Sequence, residues 1–74
     1  MHKMENGDMK KDELGELLKE RRNFLSITQK ELSEISGVTL RKLVDIENGN
    51  ANPTFSTLSK LLDVLGLKIK IEAK

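Results

Sequence analysis

Leu40, Arg41 and Val44 lie within about one helical turn of each other, and their types suit recognition rather than catalysis. An arginine guanidinium can donate in parallel to O6 and N7 of a guanine, and apolar side chains beside it can press on thymine methyl groups in a major groove. Read singly, each of the three is equally well a solvated or core-edge residue, since lone exposed apolar side chains are ordinary. Lys42, on the flank of the same segment, suits a phosphate contact, and a solvated lysine explains it as well. Asp45 could accept from cytosine N4 or repel phosphate, and it stays unassigned. Glu47 belongs to a different chemistry. It falls on the same side as Leu43 and Ile46, where an unpaired carboxylate is costly, and Arg22, one turn beyond Leu18 on another apolar stripe, is its natural partner. That ion pair is structural. Arg21 is expected to face solvent or lie near phosphate.

Other chemistries lack their residues. The chain has no cysteine, and its one histidine, His2, sits in an N-terminal stretch without apolar periodicity, so no disulfide framework and no Cys/His metal site can be drawn. No phosphate-cradling glycine loop and no paired-carboxylate cleft can be assembled from the spacing. The chain is therefore expected to be no enzyme and to need no cofactor or metal. With Phe24 and Phe55 as the only aromatic residues, it has no platform on which single-stranded bases could stack. Thirteen Lys/Arg against twelve Asp/Glu give a net charge of +1, so affinity for a polyelectrolyte must come from local placement. No apolar run exceeds three residues, which excludes a membrane span or signal-peptide core and predicts a cytoplasmic protein.

These residues need elements to hold them. Seventy-four residues allow one domain, and a core this small usually needs a disulfide, a metal or a partner subunit. Residues 1–11 read as a flexible arm. From Asp12, a plausible N-cap, Leu14, Leu17, Leu18 and Leu25 recur at helical spacing, which predicts a first helix over about residues 13–24. Thr28-Gln29-Lys30-Glu31 is a capping box, and Ile27 with Leu32 forms a hydrophobic staple at the start of a short second helix. Gly37 ends that helix in a left-handed conformation. Thr39 caps a third helix, with Val38 and Leu43 as its staple, so the pattern is helix, short turn, helix. The third helix closes near Asn48-Gly49. Pro53 bars direct continuation, Thr54 caps a fourth helix carrying Phe55, Leu58, Leu61, Leu62 and Leu65, and Gly66 ends it. Residues 67–72 then alternate apolar and polar, as a half-buried strand does. A solitary strand leaves its backbone groups unpaired, so Leu67, Ile69 and Ile71 are expected to pair with the same segment of a second subunit.

Leu32 to Gly37, Val38-Thr39, Ile46 to Gly49, Asn52-Pro53-Thr54 and Leu58 to Gly66 together resemble the Cro/C1-type, or XRE-type, helix-turn-helix of phage repressors and bacterial regulators. The resemblance runs from about Leu14 to Gly66. Four helices followed by an amphipathic strand further resemble the HipB-like antitoxins. The resemblance implies an all-α, four-helix, lambda-repressor-like domain over residues 12–66, with residues 67–74 as a strand pairing across a homodimer. It also implies a repressor that binds a palindromic double-stranded operator, acting as antitoxin and autorepressor beside a HipA-like kinase toxin. By the same resemblance, Gln29 touches phosphate and a base edge, and Thr39, Leu40, Arg41 and Val44 read bases. Asn48 holds phosphate, and Arg22 and Glu47 form a buried salt bridge. Leu40 and Asp45 stand where phage repressors commonly carry glutamine, so no operator sequence transfers. The other readings are a stand-alone phage- or plasmid-type repressor and a protein-interaction module that kept the architecture but lost DNA.

Overall fold

The computed structural model describes residues 10–73, and within them the chain is four helices: α1 (Lys11–Phe24), α2 (Gln29–Ser36), α3 (Leu40–Glu47) and α4 (Phe55–Leu65). Each of the last three opens on a threonine. The Thr28 hydroxyl accepts from the Glu31 amide at 3.0 Å while Glu31 Oε1 accepts from the Thr28 amide at 2.9 Å, closing the capping box in both directions. Thr39 and Thr54 accept from the amides of Lys42 and Thr57 at 3.3 and 3.1 Å. Three helices end on a left-handed glycine: Gly37, Gly49 and Gly66.

α1 departs from expectation at its start and ends at Phe24 as expected. Its N-cap is Lys10, without a side-chain bond, and Asp12 lies inside the first turn, where its Oδ1 accepts from the Glu13 amide at 3.0 Å. Asp12 and Glu13 still favour the positive end of the helix dipole from that turn. The helix therefore takes in Lys11, which sequence reading placed in the arm; the rest of that arm, residues 1–9, lies outside the described residues. At its other end the amides of Ser26 and Ile27 donate to the carbonyls of Asn23 and Arg22, a Schellman pattern with Ser26 in the left-handed position at φ 58°. Serine takes the place that glycine holds elsewhere.

The core is built from Leu18, Leu32, Val38, Leu43, Ile46, Leu61, Leu62 and Leu65, all buried, with Leu14, Ile27, Leu58 and Leu67 half-buried around it. α1 and α2 each pack against both α3 and α4. Gly15, buried on α1, allows a close approach by α3. A Cβ placed there would meet the carbonyl oxygens of Ile46 and Glu47, the second at 2.7 Å, so the C-terminal end of α3 rests on bare α1 backbone.

After Gly66 the Leu67 amide donates back to the Leu62 carbonyl at 2.9 Å, and Leu67 packs on the core. No strand forms among the described residues, and 67–73 have no regular structure. The physical reason is the one that made the segment conspicuous: a ladder needs a second strand, and no other segment of the described residues supplies one.

Candidate nucleic-acid interface

The third helix presents two faces of opposite character. Leu43, Ile46 and Glu47 point into the protein and are buried. Thr39, Leu40, Arg41, Lys42 and Asn48 are exposed, and Val44 and Asp45 lie half-buried at the boundary. The base-reading candidates are thus brought to one outward surface at the N-terminal half of α3, with Val44 at its inner edge. Leu40 is 44% exposed although it is apolar and opens a helix, so its side chain contributes to that surface rather than to the core.

The turn before α3 is held by serines that sequence reading passed over. Ser33 Oγ donates to the Val38 carbonyl at 2.6 Å, Ser36 Oγ donates to the Ser33 carbonyl at 3.4 Å, and the Val38 amide donates to Ser36 Oγ at 3.2 Å. The two bonds to Val38 satisfy backbone groups that a three-residue connection leaves without helical partners, whereas the Ser33 carbonyl also accepts from the Gly37 amide at 3.0 Å.

At its other end α3 is tied to α1 and α2 through Glu47. Arg22 Nε donates to Glu47 Oε2 at 2.8 Å and Arg22 Nη2 to Oε1 at 3.0 Å, a bidentate pair in which both side chains are shielded from water. Arg22 Nη1 goes on to the Ile27 carbonyl at 2.8 Å and to Asn23 Oδ1 at 3.2 Å. Gln29 Nε2 donates to Glu47 Oε1 at 3.1 Å. No side-chain nitrogen or oxygen buried among the described residues lacks a partner, so the buried charges are satisfied as well as neutralised. Gln29, expected at phosphate and a base edge, therefore has one amide donor committed inward and is half-buried at the start of α2.

Arg21 corrects its expectation. It is half-buried, its Nε donates to the Leu65 carbonyl at 2.9 Å, and its guanidinium lies 5.3 Å from the Phe24 ring centroid. It closes the C-terminal end of α4, where exposed carbonyls carry the negative end of the dipole. The partner is forty-four positions away in sequence, which local reading could not supply.

Among the described residues no group of His, Cys, Asp and Glu could hold a metal, and no helix is long and apolar enough to cross a membrane. Comparison with known proteins gives a consistent picture. An uncharacterized HTH-type transcriptional regulator of Haemophilus influenzae is 44% identical over 50 residues, 68% of this chain and 51% of that protein. The HTH-type transcriptional regulator PuuR of Escherichia coli is 38% identical over 55 residues, 74% of this chain and 30% of that protein. The chain thus spans about half of the first relative and under a third of the second. The crystal structure of the restriction-modification controller protein C.AhdI from Aeromonas hydrophila superposes with a TM-score of 0.76 at 24% identity, over 78% of this chain and 88% of that one, and so shares the fold. The helix-turn-helix family profile matches residues 18–71, from the core of α1 through the C-terminal segment, and the chain belongs to that family.

Proposed function

We propose that this protein is a sequence-specific, double-stranded-DNA-binding transcriptional regulator that acts as a repressor and binds its operator as a homodimer. The observation that carries the reading is the division of α3. One face is locked by the core and by the Arg22–Glu47–Gln29 network, and the other offers Thr39, Leu40, Arg41 and Lys42 to an outside partner. A helix fixed this way can enter a major groove without losing its own packing. Arg41 would read a guanine, Leu40 and Val44 would contact thymine methyls, and Thr39 would reach a base edge. Lys42, Asn48 and Gln29 would hold phosphates and set register. Two such helices on a twofold dimer would occupy successive major grooves about 34 Å apart. The relatives named as transcriptional regulators and the controller-protein fold support the same assignment.

The finer reading is an antitoxin that represses its own operon beside a HipA-like kinase toxin. It rests on the alternating C-terminal segment alone. It is tested by co-expressing the product of the adjacent reading frame and measuring complex formation.

The primary test is a titration of the purified protein against selected and random duplexes at several salt concentrations. A DNA regulator shows log K falling steeply and linearly with log salt, and it separates selected from random sequence by a factor on the order of 10³ or more. A flat salt response would show instead a module whose α3 surface binds protein.

A further inference from the structure

Three features of the C-terminal segment bear on how two copies would meet. Its apolar residues grow more exposed along the chain: Leu67 packs on the core, Ile69 is 43% exposed and Ile71 is 89% exposed. Its charged residues share the other side, since Lys70 Nζ lies 3.0 Å from Glu72 Oε1, the i to i+2 spacing of an extended chain. And Ile69 lines a groove of about 990 Å³ between α1, α4 and this segment, walled by Leu14, Leu17, Leu58, Leu62 and Leu67.

An antiparallel pair related by a twofold axis admits only registers that keep apolar residues opposite apolar residues, because a one-residue slip turns every side chain over. Three such registers overlap usefully. With Ile69 on the axis, each Lys68 stands directly opposite a Lys70, which gives two like-charge pairs, and these are destabilising. With Ile71 on the axis, Lys70 meets Glu72, but Lys68 meets Lys74 and Ile69 faces only Ala73. With Lys70 on the axis, both Lys68 residues meet a Glu72, and each Ile69 faces an Ile71. The single Lys70–Lys70 contact at the axis is then flanked by both Glu72 carboxylates, one of them already beside Lys70 in the same chain.

We propose that the second copy docks in this last register, with the twofold axis through Lys70. Resting on the dimeric reading above, it goes further by naming the pairs that select the partner. Directly opposed side chains stand about 4.5–5.5 Å apart on one face. Each Ile71 therefore lies beside the partner's Ile69 at the mouth of the groove, and the most exposed aliphatic side chain of the segment finds apolar cover. The charge ladder excludes the register that apolar contacts alone would favour.

The absence of cysteine makes the test direct. Single variants Ile69→Cys, Lys70→Cys and Ile71→Cys are oxidised at a protein concentration where light scattering reports dimers. Residues on the axis fall within the roughly 4.4–6.8 Å Cα separation a disulfide requires, whereas positions one pair away do not. Lys70→Cys is expected to cross-link at least tenfold faster than the other two. As a second measurement, Glu72→Lys should raise the dimer dissociation constant by roughly fivefold to twentyfold, since it turns two attractive pairs into repulsive ones, and Lys68→Glu added to it should restore affinity. Fastest bridging at 69 or 71, equal bridging at all three, or rescue by Lys70→Glu rather than Lys68→Glu would overturn the register while leaving the dimer standing. A chain that stays monomeric at every concentration would remove the dimer itself.

Discussion

Glu47 sits at the junction of three helices, and its partners divide into those visible in the sequence and those created by folding. A carboxylate on the Leu43–Ile46 face calls for a cation, and Arg22 on the buried stripe of α1 provides it; that much follows from helical periodicity. The inward turn of Gln29 does not, because it depends on where the start of α2 comes to rest beside the end of α3. Removing one partner of such a pair should cost far more than the pair contributes. Arg22→Met is expected to destabilise the fold by about 3–5 kcal/mol, since Glu47 is left buried and uncompensated, while Arg22→Met/Glu47→Met should recover most of the loss. Denaturant unfolding of the four members of the cycle measures this, and equal destabilisation of the single and double variants would argue against it. On the opposite face, Arg41→Ala should leave stability within about 0.5 kcal/mol of the parent. It should cost about 1–3 kcal/mol of operator affinity and relax preference at one base pair. Uniform weakening on all sequences would make Arg41 a phosphate anchor. Glu31 adds a pH term. Hydrogen bonds from the Thr28 amide and hydroxyl hold its pKa below the ordinary 4.5. The capping box therefore contributes fully above that value, and its contribution is lost as pH falls through the lower folded value. Thermal unfolding of Glu31→Gln should accordingly show a shallower loss of stability below about pH 4.5 than the parent.

Helix ends were the most legible elements because capping is local. Thr28, Thr39 and Thr54, with Gly37, Gly49 and Gly66, mark boundaries by chemistry that acts within four residues. The two features missed on α1 follow the same logic in reverse. Ser26 carries no compositional mark of a left-handed residue, and Gly15 looks like a weak helical position until α3 is laid across it. Each gives a prediction at this scale. Ser26→Gly should stabilise by about 0.5–1 kcal/mol, by relieving a conformation that costs a serine but not a glycine. Gly15→Ala carries an expected gain of about 1 kcal/mol from helix propensity alone. It should nonetheless destabilise, because the new methyl runs into the Ile46 and Glu47 carbonyls and must push α3 away. As α3 carries the candidate reading surface, operator affinity should fall along with the melting temperature. A Gly15→Ala protein more stable than its parent would mean that the crossing can relax without cost.

For the whole molecule, the small core and the near-neutral charge lead to one question: what the proposed second copy would supply to a single chain. The +1 total conceals an uneven distribution: α1 is balanced, with Asp12, Glu13, Glu16 and Glu20 against Lys11, Lys19, Arg21 and Arg22, while Arg41 and Lys42 lie on the exposed side of α3 and four lysines stand against Asp63 and Glu72 from residue 49 onward. Nonspecific attraction to a duplex is therefore weak, and doubling the reading surface is the economical route to affinity. If residues 69–73 provide the dimer contact, stability must depend on protein concentration, since association with a second copy favours the folded chain by mass action. Where the chain is cut matters, because Leu67 belongs to the fold: its amide caps α4 at the Leu62 carbonyl and its side chain covers the core. A chain ending after Lys68 keeps those contacts and loses only Ile69 onward. Its melting temperature should be independent of concentration, whereas that of the full chain should rise across a hundredfold increase. Operator binding by the shortened chain should show half-site affinity without cooperativity. A shortened chain that still sediments as a dimer would place self-association on the helices, with the apolar groove between α1 and α4 as the next surface to probe.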